Sequence, residues 1–211
     1  MKNLYLDTET TGLPYKPASP RKYGKTHNTN GYPRLVQIAW ILTDENDNTL
    51  TRHSHVIIPE GFSIPYEATS IHGITTKEAI QKGEPLLKVL HLFNQDLLEA
   101  DRIIGHNLDF DEGVMSGELR RKGQRKALTK LQSIPEEDTM MSTIDFCAIP
   151  FRNNKERYSE EKYKYPKLCE LYCKLFGHGF DNAHDAMADI EATRQCHVEL
   201  HKRNIMRPGS E

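Results

Sequence analysis

Three strand-like segments in succession, with helical periodicity only after them, narrow the folds open to this chain more than any other feature. Lys2 to Thr8 sets Leu4, Leu6 and Thr8 against Tyr5 and Asp7, the period-two alternation of a strand. Arg34 to Leu42 holds a nearly continuous apolar run, Leu35, Val36, Ile38, Ala39, Trp40 and Ile41, and reads as a second strand. Thr49 to Ile58 reads as a third, joined to it by the Asp- and Asn-rich turn Asp44 to Asn48. Leu86, Leu87, Leu90, Phe93, Leu97 and Leu98 then recur at spacings of three and four and predict an amphipathic helix over Glu84 to Glu99. A short strand, Arg102-Ile103-Ile104, ends at Gly105, and a helix from about Phe110 to Lys122 follows. Pro166 suits the first position of a helix carrying Leu168, Leu171, Tyr172 and Leu175 and stopped by Gly177, and a last helix covers Ala183 to Arg203. Strands first, then helices alternating with a strand, imply a mixed α/β domain.

Composition excludes several function classes. With 211 residues the chain is expected to form one domain over 1–203 and a short, disordered tail over 204–211. No stretch approaches the roughly 20 apolar residues of a membrane helix. The N-terminus meets Asp7 before any signal-peptide apolar region can form, so a cytoplasmic location without membrane association is expected. The four cysteines include no CxxC pair, which favours reduced thiols over a disulfide scaffold. A net charge of −2 argues against wrapping long duplex DNA, so any nucleic-acid contact should be local. The basic stretch Leu119 to Lys130 reads first as solvated surface. Residues 13–32 read as a long loop, and Phe151 to Tyr165 as a polar elaboration.

The chemistry is concentrated in acids. Asp7 and Glu9 lie two apart on a strand, so both carboxylates share a face, where they repel unless a cation lies between them. They open into the turn Thr10-Thr11-Gly12, the kind of strand end at which α/β folds bind ligands. The same arrangement recurs where Ile103-Ile104-Gly105 leads into His106-Asn107-Leu108-Asp109-Phe110-Asp111, with Asp109 and Asp111 both candidates. A third cluster, Asn182 to Asp189, holds His184 and Asp189. Five residues is about 140° around a helix, so the two meet only if His184 lies in the entering loop or first turn, with Asn182 as a suitable N-cap.

Taken together, these clusters resemble the DnaQ-like 3′→5′ exonucleases. Leu6-Asp7-Thr8-Glu9-Thr10-Thr11-Gly12-Leu13 is similar to the first exonuclease motif, Gly105 to Asp111 to the second, and His184 with Asp189 to the third, in the form that marks the DEDDh branch. Ser70-Ile71-His72-Gly73-Ile74-Thr75, Asp138-Thr139-Met140 and the helix ending at Phe176-Gly177 also fit, so the resemblance spans residues 1 to about 203. It implies a ribonuclease H-like mixed sheet of three opening antiparallel strands followed by parallel ones, flanked by helices. It also implies that Asp7, Glu9, Asp111 and Asp189 bind metal, with Asp111 rather than Asp109 the ligand because it follows Phe110.

Two divalent ions, Mg²⁺ or Mn²⁺, suit four hard carboxylates. The expected arrangement has Asp7 bridging both ions, Glu9 and Asp189 on the nucleophile side, and Asp111 supporting the other. His184 would act as general base, an imidazole suiting that task at neutral pH. Thr10, Thr11, Gly12, Leu13, His72, Ile74, His106 and Asn107 are the expected substrate contacts. The expected partners are 3′ ends of single-stranded nucleic acid, and a polymerase. DNA is favoured over RNA because the motifs are closer to the family's proofreading members than to its oligoribonucleases. Two readings compete: a catalytically silent nucleic-acid-binding module, and a zinc protein using Cys169, Cys173, His197 and His201. The second requires the two helices to pack together and the histidines to leave the surface where they are otherwise expected.

Overall fold

The computed structural model describes residues 1–14, 31–151 and 162–206. Most of the 13–32 loop, much of the 151–165 elaboration and the end of the tail lie outside these. Five strands form one sheet: β1 (Asn3–Thr10), β2 (Leu35–Thr43), β3 (Thr49–Val56), β4 (Arg102–Gly105) and β5 (Glu136–Asp138), in the order β3-β2-β1-β4-β5. The first three pair antiparallel, while β1 with β4 and β4 with β5 pair parallel. The expected mixed sheet is therefore present. The helices are α1 (Tyr66–His72), α2 (Thr76–Lys82), α3 (Leu86–Glu99), α4 (Leu108–Arg121), α5 (Arg125–Ser133), α6 (Ile144–Cys147), α7 (Leu168–Phe176) and α8 (Ala186–Lys202). None among the described residues is long and apolar enough to cross a membrane.

The apolar run of β2 has a simple cause: every residue of the strand is buried, because helices cover both faces of the sheet. On one face Leu4, Leu6, Ile38 and Trp40 pack against α3, α4 and α5 through Phe93, Leu97, Met115 and Leu131. On the other, Tyr5, Ala39, Ile41 and Ile104 meet Ala186 and Ile190 of α8. The Trp40 indole N–H donates to Asp96 Oδ2 on α3 at 2.7 Å, so its one polar atom is satisfied inside the core.

Sequence patterning misses β5, α1, α2, α5 and α6, the last a single four-residue turn. β5 is only Glu136-Glu137-Asp138, and acids disfavour strands; Glu137 is accepted because Arg102 of β4 pairs with it. α1 and α2 have seven residues each, too short for a clear 3.6-residue period, although the Thr75–Glu78 capping box that starts α2 is readable in the sequence. α5 lies in the basic stretch and buries only Ala127 and Leu131, four apart, with Arg125 and Lys126 left in solvent as expected. The α7 helix begins at Leu168, two residues after Pro166, and ends as expected at Gly177, whose φ of 80° is left-handed.

Two features position the functional end of the sheet. The β1–β4 ladder covers only Asn3 to Tyr5, so beyond it β1 runs on to Thr10 paired with β2 alone, and a crevice opens on the β4 side. A side chain at Gly105 would meet the Leu6 carbonyl oxygen at 3.3 Å and Leu108 at 3.0 Å, so glycine lets the chain turn tightly into α4 there. The far end of α4 is fixed by Glu118, which is 0% exposed. Its Oε1 accepts from Arg34 Nε at 2.8 Å and from the Leu35 backbone N–H at 3.2 Å. Removing one partner of a buried ion pair leaves an uncompensated charge, so Glu118→Ala is expected to destabilise the fold by about 3 kcal/mol in urea unfolding. A loss within experimental error would show that the staple is not structural.

Candidate active site

Strand alternation divides the end of β1 between two helices. Thr8 follows Leu4 and Leu6 toward α4, where its hydroxyl donates to Asp111 Oδ1 at 2.6 Å. Asp7 and Glu9 follow Tyr5 onto the face covered by α8, whose first turn carries Asp189. The Asp111 side chain, on a residue only 3% exposed, enters from the first turn of α4. Three segments far apart in sequence thus deliver four acids to one crevice.

Their electrostatics record the crowding. Burial, then Asp111, Asp189, Glu9 and Asp185, hold the Asp7 carboxyl well above the ordinary carboxylate range. Glu9 is pushed up to about 8 by burial and then by Asp189, Asp111 and Asp185. Asp111 rises to about 7 through burial, although the Thr8 hydrogen bond opposes it. Asp189 is raised by burial against the opposing hydrogen bond from the His184 backbone N–H, at 3.1 Å to Oδ2. Asp7 Oδ2 is buried without a hydrogen-bond partner. Asp109, partly buried two positions before Asp111 on the same helix, is not among the groups that raise Asp7 or Glu9 most strongly.

His184 reaches the cluster from the loop before α8. The N-cap of α8 is Asp185, not Asn182: its Oδ1 accepts from Met187 N at 3.1 Å and Ala188 N at 3.0 Å. Asn182 and His184 both have left-handed φ, 59° and 74°, and this reversal removes the 140° problem. Glu9, His184 and Asp189 each present a ligand atom within 4.8 Å of the others. Asp185 was not expected among the acids. The signal available for it was its place just before the apolar start of α8.

The other expected residues fall into two groups. In the turn after β1, the Thr10 hydroxyl donates to the Gly12 carbonyl at 2.7 Å, Gly12 adopts φ 145°, and Leu13 stands 86% exposed. The Thr11 backbone N–H donates to Arg34 O at 3.0 Å. His72 lies against the Thr10 backbone, its pKa lowered by burial, and its Nδ1 accepts from Ile74 N at 3.1 Å. Across the crevice, both ring nitrogens of His106 are engaged, Nδ1 with Thr139 Oγ1 and Nε2 with the Pro166 carbonyl, each at 3.0 Å. Asn107 is exposed, with a left-handed φ of 69°. Asp138 holds this loop: its carboxylate accepts from the backbone N–H of Asn107 and Leu108 at 3.0 Å and of Met140 at 2.9 Å.

The Cys/His zinc constellation does not assemble. Cys169 and Cys173 are exposed on α7. His197 is not on the surface but 4% exposed, and both it and His201 turn to Glu137 of β5.

A mixed sheet in this order, with acids gathered where its central strand outruns a neighbour, is a ribonuclease H-like fold. The chain belongs to the exonuclease family: the family model described as Exonuclease (RNase T) matches residues 4–196. It is similar to the DNA polymerase III subunit epsilon of Buchnera aphidicola, 28% identical over 189 residues, which are 89% of this chain and 68% of that one. The epsilon subunit of Rickettsia prowazekii is 26% identical over 201 residues, 95% of this chain and 74% of that one. Among solved structures, E. coli exonuclease I in complex with a dT13 oligonucleotide has a TM-score of 0.68 at 24% identity, over 95% of this chain and 41% of that one. The zinc-bound form of the E. coli exonuclease I–single-stranded DNA complex scores 0.67 at 23% identity, over 96% of this chain and 40% of that one. The chain thus spans about two fifths of the exonuclease I chains it resembles.

The raised carboxyl pKa values have a thermodynamic consequence. Glu9 and Asp111 titrate higher folded than unfolded, so the folded state holds protons that the unfolded state has released. The stability they contribute is complete below about pH 4 and is lost as pH rises through about 7 to 8. Metal-free protein is therefore expected to lose about 2–4 kcal/mol between pH 4.5 and 8.5, and Glu9→Gln to flatten that slope, in urea unfolding with chelator present. An unchanged slope in Glu9→Gln would show that this crowding is not what the protein feels.

Proposed function

We propose that the protein is a divalent-metal-dependent 3′→5′ exonuclease that removes nucleotides from the 3′ end of single-stranded or frayed DNA, releasing nucleoside 5′-monophosphates. The observation that carries the reading is the unpartnered, buried Asp7 Oδ2 within a group of four carboxylates, of which Asp7 and Glu9 have their pKa raised by burial and by the charges of Asp111 and Asp189. A fold tolerates such a group when cations hold it, and all-oxygen donors fit Mg²⁺ or Mn²⁺. Asp7, Glu9, Asp111 and Asp189 would hold two such ions. When bound, these supply positive charge for the attacking and leaving oxygens of the phosphodiester.

The chain's own residues do the rest. His184, beside Glu9 and Asp189, takes the proton of the attacking water, while its backbone N–H holds the Asp189 carboxylate in place. The Thr10–Gly12 turn, steadied by Arg34, receives the terminal nucleotide, and exposed Leu13 and half-buried Ile74 offer apolar surface to its base. His106, with both ring nitrogens occupied, positions the Gly105–Leu108 loop instead of touching substrate. The relatives named as polymerase III epsilon subunits, and the exonuclease I structures with dT13 and dA16, support DNA as substrate and a polymerase as partner.

The test is an assay on matched 5′-labelled and 3′-labelled single-stranded DNA and RNA, with Mg²⁺, Mn²⁺ or chelator. Metal-dependent ladders shortening from the 3′ end are expected, faster on DNA. A faster reaction on RNA would reassign the substrate, and no cleavage by folded, metal-loaded protein would favour a binding module. Asp7→Asn is expected to lower turnover at least ~10³-fold. His184→Ala should lower kcat by about 10²–10⁴-fold, the typical worth of a general base, with metal affinity nearly unchanged in calorimetry. Wild-type rates for His184→Ala across the neutral pH range would remove it from that role.

A further inference from the structure

We propose that Glu137, His197 and His201 form a second metal site, apart from the acid-lined crevice, which takes one Zn²⁺ and ties the edge of the sheet to α8. His197 and His201 are four apart on α8 and share a face. Glu137 comes from β5, the last strand on that side of the sheet. Glu137 Oε2 lies 2.6 Å from His197 Nε2 and 2.9 Å from His201 Nε2, and the two imidazole nitrogens are 3.1 Å apart. Three heteroatoms so placed form three close contacts, of which the two ring protons available can satisfy two, whereas one cation at the centre satisfies all three. Tetrahedral zinc with ligands at 2.0–2.1 Å holds them about 3.3 Å from one another, so an outward shift of a few tenths of an ångström accommodates the ion.

The surroundings are those of a built site. His197 and Glu137 are 4% and 8% exposed, which removes competing water. The other nitrogen of His197, Nδ1, is bonded to the Tyr5 hydroxyl at 3.0 Å, the outer hydrogen bond that fixes the ring of a metal-bound histidine. Arg102 binds the other oxygen of Glu137, leaving Oε2 for the metal. It also weakens the carboxylate's pull on hard cations, so the two imidazoles decide the choice and favour zinc over magnesium. His197 and His201 also line a cleft of about 470 Å³ together with Asn3, Asp47 and Lys202, from which a water could complete the coordination. The α8 helix carries Asp189 eight residues before His197, about 12 Å along its axis. The site would thus act on the crevice only by holding that helix.

The experiment uses the full chain carrying Asp7→Asn and Asp189→Asn, which disables the crevice as a zinc site and keeps the result separate from the nuclease assignment. Titration with ZnCl₂ is expected to show one ion per chain, a higher melting temperature, and a coordination shift of both the His197 and His201 Nε2 signals in ¹⁵N-resolved NMR. His201→Gln, at a ring only a quarter exposed and able to keep a bond to Glu137, should weaken zinc binding at least ~100-fold and abolish the thermal gain. Zinc bound equally well by His201→Gln, no zinc bound by the parent, or unshifted histidine signals at saturating zinc would each overturn the proposal. The NMR readout needs no variant at the site, so it decides the question even if His201→Gln fails to fold.

Discussion

Mutual repulsion among the carboxylates at the open end of β1 is the constraint on which the rest of the structure depends. Asp7, Glu9, Asp111 and Asp189 are brought together although burial and proximity both oppose their ionisation. They cannot separate, because each is anchored in an element fixed elsewhere. β1 is the central strand, α4 is stapled at its far end by Glu118, and α8 packs its Ala186 and Ile190 on the sheet. The apolar core on both faces of β1 and β2 supplies the stability against which this local conflict is set.

Two glutamates show how position decides chemistry. Glu9 sits among acids and is pushed up to about 8 by burial and its neighbours. Burial alone would also raise Glu137, but hydrogen bonds from His197 and His201 and the charge of Arg102 bring it down to about 2. The first is a carboxylate in need of a cation. The second already has cationic or proton-donating neighbours on every side, and its two histidines are what make a nitrogen-rich site there. The two places differ in donor chemistry as well as location: four oxygens in one, two nitrogens and an oxygen in the other.

β1, β2, α3, β4 and α8 were legible because each buries an unbroken face, so that burial and sequence period coincide; β3, half-exposed along its length, was legible from the Asp- and Asn-rich turn that precedes it. β5 was illegible because its inward residue is a glutamate whose burial depends on Arg102, 35 positions earlier. α1, α2 and α5 bury one or two residues each, too few to impose a pattern. The main site acids were legible because one strand end and two helix starts displayed them in short motifs. Asp185 was hidden because capping and site membership fall on one residue. His197 and His201 were seen as a helical pair expected on the surface, with a cysteine pair on α7 as the rival partner; the acid on β5 that they meet was not foreseen.

By itself, the sequence determined the layered α/β architecture and the strand directions implied by its motifs, and it singled out the acids and the histidine that the fold gathers at one crevice. These follow from local period and residue type, which need no partner to be read. Only the tertiary structure decided how His184 and Asp189 meet, through two left-handed residues before an Asp185 cap. It also decided that His106 is held by Thr139 and Pro166, and that Glu137 stands between two histidines and an arginine. Those outcomes depend on distance between segments that the chain brings together only on folding, and a residue's neighbours in space set its charge, its hydrogen bonds and its ligands.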